Sequence, residues 1–125
     1  MRHVLLVDDD TNFRRSLAIA LEAMGYHVYE AKSGMEALRF LRDNQRAKDK
    51  VEGVVLDARM PGLDGFWLAD QISEVYPSLK IVILSAHSYP LQSDQYTFLT
   101  KPVHIPDLIE VLEQDVSLIE KRETA

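Results

Sequence analysis

The chain has 125 residues, enough for one domain and able to bury a core without help from disulfides or metals. Apolar residues make up 46% and charged residues 27%, which excludes a disordered chain, and the absence of cysteine excludes a disulfide framework, thiolate zinc sites and cysteine nucleophiles. Fourteen Lys and Arg against twenty Asp and Glu give a formal charge of −6, which argues against nucleic-acid binding and favours a cation site wherever the carboxylates cluster.

Short β-branched runs alternate with helical patterns along the chain. The first run, Val4–Val7, lies in an N-terminal apolar stretch too short for the core of a signal peptide. Phe13, Leu17, Leu21 and Met24 then recur at helical steps, and Gly25 marks the stop. A second strand is predicted over His27–Glu30, a second helix on Met35, Leu38 and Leu41, and a helix end and polar loop from Arg42 to Lys50. Val54–Leu56 reads as the third strand, and Leu68, Ile72 and Val75 as the third helix, ended by Pro77. Ile81–Leu84 is a fourth strand, an apolar run far too short to span a bilayer. Between Leu84 and Phe98 a proline and weak periodicity predict a fourth helix of one turn or none. Thr97–Thr100 is the fifth strand, and Pro106 opens a last helix with Ile105, Leu108, Leu112, Val116 and Ile119 on one face.

Three of the runs are continuously apolar, as expected of strands covered on both faces. Strand–helix alternation over residues 1–125 therefore predicts one α/β domain, a doubly wound five-stranded parallel sheet with a shortened or absent fourth helix. Without cysteines or a membrane segment, the expected location is the cytoplasm.

In open α/β sheets ligands bind beyond the carboxyl ends of the strands. The first strand runs into Asp8, Asp9 and Asp10, the third ends in Asp57, the fourth in Ser85, and the fifth in Lys101-Pro102. Carboxylates gathered on one rim repel one another unless a cation sits among them, and an oxygen-rich, partly hydrated site favours Mg²⁺. Any single aspartate after a strand is an ordinary turn former or helix cap; the signal is that compatible residues stand at several strand ends at once.

These residues resemble the receiver domain of two-component response regulators, similar to the single-domain chemotaxis regulators, over essentially the whole chain. The resemblance rests on Leu5-Leu6-Val7-Asp8-Asp9-Asp10, on Asp57-Ala58-Arg59-Met60-Pro61-Gly62-Leu63-Asp64-Gly65, on Ser85-Ala86 and on Phe98-Leu99-Thr100-Lys101-Pro102. It implies a flavodoxin-like receiver fold in which Asp57 accepts a phosphoryl group from a sensor histidine kinase or phosphotransfer protein. It further implies Mg²⁺ held by Asp9 and Asp57, by Asp8 partly through water, and by the backbone carbonyl of Arg59. Lys101 and Ser85 are expected to contact the phosphoryl group, Phe98 to be the switch aromatic, and Lys101-Pro102 to be a cis turn. The output lies with an unidentified partner or with an output domain outside this chain; the domain itself is expected to bind neither nucleic acid nor membrane and not to be an enzyme.

Asp64 is expected to cap the third helix, and Asp10 to be a cap or an outer charge. The span from Ser85 to Lys101 is shorter than the family's usual one, which puts the face normally built by the fourth helix in question. Arg59 either pairs with Asp9 or Asp10 or reaches the phosphoryl group, or else is a solvated loop residue. Arg14 and Arg15 lie on the helix that docks phosphodonors in receivers, or on a solvated face. The four histidines show no metal-ligand spacing, although His87 falls beside the site. Trp67 lies opposite the apolar face of its helix. Two other readings compete: a haloacid-dehalogenase-like phosphohydrolase, for which the chain has no cap region, and a receiver retained as a binding scaffold.

Overall fold

The three unbroken apolar runs become the three interior strands of one sheet. In the computed structural model, which describes residues 2–45, 50–86 and 96–114, they are β1 (His3–Val7), β3 (Gly53–Asp57) and β6 (Lys80–Ser85). The edge strands are β2 (His27–Ala31) and β7 (Tyr96–Thr100), and all five run parallel in the order β2-β1-β3-β6-β7. Among the described residues four helices connect or flank them: α1 (Thr11–Ala23), α2 (Gly34–Asn44), α3 (Gly65–Val75) and α4 (Ile105–Glu113). A two-stranded hairpin, β4 (Arg59–Met60) with β5 (Leu63–Asp64), stands between β3 and α3.

Alternation along the strands divides the core into two layers. Leu5, Val7, Val54, Leu56, Ile81 and Ile83 face α2 and α3 and meet Ala37, Leu41, Leu68 and Ile72. Val4, Leu6, Val55, Val82 and Leu84 face α1 and α4 and meet Leu17, Leu21, Leu108 and Leu112. Both layers are closed, so the sheet has the expected doubly wound form.

Three residues assigned to apolar helix faces are instead exposed: Met24 at 59%, Met35 at 73% and Val75 at 65%. Met24 caps α1 after the helix has ended, and Val75 is the last residue of α3, so neither continues its stripe. In α2 the buried stripe is Gly34, Ala37 and Leu41, because that helix starts close against the hairpin: a Cβ at Gly34 would meet Leu63 Cδ2 at 2.2 Å. α2 also runs through to Asn44. The expected brief fourth helix falls on 87–95, and Val116 and Ile119 on 115–125, outside the described residues; β6 ends at Ser85 and β7 already begins at Tyr96.

Candidate metal and phosphoryl site

Parallel register brings the strand ends flush. Val7 pairs with Ala31 on one side and Leu56 on the other, Asp57 with Leu84, and Ser85 with Thr100. Asp8, Asp57 and Lys101, each at or just beyond the end of its strand, therefore share one rim. The Lys101 amide donates to the Ser85 carbonyl at 2.7 Å, and the peptide bond from Lys101 to Pro102 is cis, as expected.

Oxygens of Asp8, Asp9 and Asp57 lie within 4.8 Å of one another. Lys101 Nζ stands 3.2 Å from Asp57 Oδ2 and 3.6 Å from Asp8 Oδ2. One ammonium against three carboxylates leaves the rim acidic, which is the charge pattern of a divalent-cation site. Asp8 is buried, and its Oδ1 accepts the Asp10 amide at 2.9 Å while Oδ2 has no hydrogen-bond partner. Burial outweighs that hydrogen bond and the Lys101 charge and holds the Asp8 carboxyl above its ordinary pKa, with Asp57 and Asp9 adding repulsion. A buried carboxylate oxygen without a hydrogen bond, clustered with two further carboxylates, fits a hard, oxygen-seeking cation such as Mg²⁺.

The Asp57–Gly65 element explains its own spacing. Gly62 has φ +71°, the left-handed conformation that a type II turn requires after Pro61. The turn folds Met60 onto Leu63 and Arg59 onto Asp64. Asp64 then caps α3, accepting the Phe66 amide at 2.9 Å. Gly65 packs so close that a Cβ would lie 2.3 Å from the Asp57 carbonyl oxygen. Turn, cap and close approach together hold Asp57 at the rim, and the Arg59 amide adds a donor to its Oδ1 at 3.3 Å.

Ser85 is 3% exposed at the end of β6. Phe98 is half-buried on β7, its ring 5.8 Å from that of Phe66 on α3. Asp10 is the N-cap of α1, accepting the Phe13 amide. The Arg59 side chain is exposed and, among the described residues, makes no ion pair with Asp9 or Asp10. Trp67 is 48% exposed. The His3 and His27 rings lie 4.8 Å apart, tilted to one another, where β1 and β2 begin; His104 precedes α4, and His87 lies outside the described residues.

Four contacts were not foreseen from the sequence. The Phe13 ring, expected only to pack in the core, lies 4.3 Å from Lys101 Nζ, a cation–π contact that braces the lysine. Arg14 and Arg15 both bind Glu30, and Arg14 also donates to the Asp8 carbonyl at 2.7 Å, so Arg14 is not part of a solvated face. The only trace in the sequence is a Phe-Arg pair early in the helix that follows the acidic loop.

The sequence matches the response regulator receiver domain family over residues 4–113. It is 38% identical to the transcriptional regulatory protein GlrR of Escherichia coli across 89% of this chain, which spans only 25% of that protein. It is 32% identical to the response regulator receiver protein CpdR of Brucella abortus, covering 91% of this chain and 96% of CpdR. The response regulator protein TrrA of Thermotoga maritima, solved in complex with Mg²⁺-BeF, superimposes with a TM-score of 0.73 at 28% identity, covering 90% of this chain and 99% of that one. No described helix is long and apolar enough to cross a membrane. With the family's sequence pattern, its sheet order and an acidic rim at the strand ends, the chain belongs to the response regulator receiver domains of two-component systems.

Proposed function

We propose that Asp57 accepts a phosphoryl group from a phosphohistidine on a sensor histidine kinase or phosphotransfer protein, in a Mg²⁺-dependent reaction, and that the resulting change in conformation controls an output partner. The observation that carries this reading is the Asp8, Asp9 and Asp57 cluster with Lys101 seated on Asp57 Oδ2. A carboxylate oxygen of Asp57 attacks phosphorus, the P–N bond to the imidazole breaks, and its electron pair leaves with the ring. Asp9 and Asp57 would hold Mg²⁺ directly and Asp8 partly through water, with the Arg59 carbonyl as a further protein ligand. The ion supplies charge neutralisation on the transferring group. Lys101 exchanges the Asp57 carboxylate for a phosphoryl oxygen, and Ser85 donates its hydroxyl to another. Phe98, lacking a phenol, reports that step by packing alone. That TrrA was solved in complex with Mg²⁺-BeF supports divalent-cation binding by this chain as well.

On this reading the chain is a phosphoryl acceptor in the cytoplasm and not an enzyme. GlrR is named as a transcriptional regulator, which supports an output made by a partner or a further domain rather than by the acidic receiver itself. Incubation with acetyl phosphate and Mg²⁺, followed by intact-mass measurement, is expected to add one phosphoryl group per chain, with loss of the adduct in Asp57→Asn or with EDTA. Many turnovers per chain would favour a phosphohydrolase. Mg²⁺ binding without phosphoryl uptake would favour a scaffold.

A further inference from the structure

The ladder of β1 ends at Asp8, whose amide still donates to the Ala31 carbonyl at 3.1 Å. Its own carbonyl leaves the sheet and is taken by a side chain, Arg14 Nη1, at 2.7 Å. The Arg14 side chain is 11% exposed, and its Nε donates to Glu30 Oε1 at 3.0 Å. Glu30 stands on β2 opposite Leu6, and its second oxygen receives Arg15. The carboxylate is thus fixed from two sides and fixes Arg14 in turn. That carbonyl belongs to the peptide that links Asp8 to Asp9, whose carboxylates cluster with that of Asp57 in the cation site.

We infer that Arg14, oriented by Glu30, is a positioning residue for the cation site: its bond to the Asp8 carbonyl holds the Asp8–Asp9 peptide with both carboxylates turned toward Asp57. The inference rests on the Mg²⁺-dependent reading above. Mg²⁺ demands near-octahedral oxygens, so a ligand loop that must be ordered on binding weakens affinity. A charge-assisted bond to the main chain removes that cost beforehand.

Charge and geometry give opposite signs here, which makes the idea sharply testable. As a bare positive charge beside the ligands, Arg14 repels a divalent cation, and deleting it should tighten Mg²⁺ binding. As a positioning group, its deletion should loosen it. Calorimetric titration of the metal-free protein with Mg²⁺ is expected to show affinity weakened about tenfold or more in Arg14→Ala, the range found for groups that orient metal ligands. Arg14→Lys should recover only part, since an ammonium keeps the charge but cannot span both the carbonyl and Glu30. Arg15→Ala, which removes an equal charge and one support of Glu30 but leaves the Arg14 bond to Asp8, should weaken binding far less than Arg14→Ala does. Amide exchange at Asp10 in the metal-free protein should quicken in Arg14→Ala, because that amide closes the turn on Asp8. Unchanged or tighter Mg²⁺ binding in Arg14→Ala overturns the inference. If that variant does not fold, Arg14→Lys decides alone: the charge is kept, so weaker Mg²⁺ binding supports the inference and unchanged or tighter binding overturns it. A wild-type protein that binds no Mg²⁺ overturns the functional reading instead, so the two failures are told apart.

Discussion

Asp8 brings a charged oxygen into the protein with too few partners to compensate it. Its side chain is 5% exposed, Oδ2 lacks a hydrogen bond, and the ammonium of Lys101 is 3.6 Å away and shared with Asp57. An unsatisfied buried acceptor costs about 1–3 kcal/mol, and charge raises that cost. Burial accordingly holds the Asp8 pKa above 3.8, first among its causes. The folded state then binds more protons than the unfolded one between 3.8 and the raised value, so stability falls as pH rises through that window and the loss is complete above it. Asp8→Asn is therefore expected to raise the thermal midpoint of the metal-free protein at neutral pH by several degrees, equivalent to ~1 kcal/mol or more. The gain should shrink as pH falls through the window. Added Mg²⁺ should reverse the order, because an ion bound only by the folded wild type stabilises it by mass action. Thermal scans in EDTA and in Mg²⁺ across pH check this; a gain independent of pH contradicts it.

At the scale of elements, β3, the hairpin and α3 behave as one device for presenting Asp57. Gly65 is its tightest point: a Cβ there would meet the Asp57 carbonyl oxygen at 2.3 Å and the Ala58 Cα at 2.8 Å. Both are backbone atoms and cannot rotate away. Gly65→Ala gains up to about 1 kcal/mol in helix propensity. Against that, overpacking a closed contact costs ~1–3 kcal/mol. Net destabilisation is expected in urea, with phosphoryl uptake slowed beyond what the folded fraction explains, since the displaced carbonyl belongs to the proposed acceptor, Asp57. A raised urea midpoint would mean that propensity wins and the contact is loose. The strands and α3 were legible because burial on both faces, turn residues and caps all act over a few residues of sequence. The faces of α1 and α2 were misread at Met24 and Met35 because burial there depends on where the helix ends and on how closely a distant segment approaches. Gly34 against Leu63 is such an approach, and no local period encodes it.

On the scale of the whole molecule, the parallel sheet separates two ends with different tasks. All strands finish at the acidic rim, so the aspartates, Ser85 and Lys101 could be placed from the sequence once strand direction was known. What holds them, Phe13 on Lys101 and Arg14 on Glu30, joins residues from different elements and leaves no trace beyond the Phe13-Arg14 pair. The strands begin at the other end, where Glu113 of α4 binds Arg2 at 3.0 Å and accepts the Tyr26 phenol, while Lys80 donates to the Val111 carbonyl at 2.9 Å and to that of Gln114. This clamp fastens the last helix to the starts of β1 and β6 and to the α1–β2 turn. Burial first, then the hydrogen bond and charge of Glu113, push the Tyr26 pKa from 10.0 to about 12. An unfolded phenol ionises near 10.0 while the folded one keeps its proton to about 12, so stability falls as pH rises across that interval. The expected slope is about 1.4 kcal/mol per pH unit. Tyr26→Phe should lose about 1 kcal/mol at neutral pH with the hydrogen bond. Having no phenol to titrate, it should close that gap with the wild type as the medium becomes alkaline, as urea midpoints would show. Because the clamp and the acidic rim lie at opposite ends of the strands, the same variant should bind Mg²⁺ as the wild type does. A gap that stays constant with pH would mean that Tyr26 ionises freely in the folded protein and does not serve as the donor that ties α4 down.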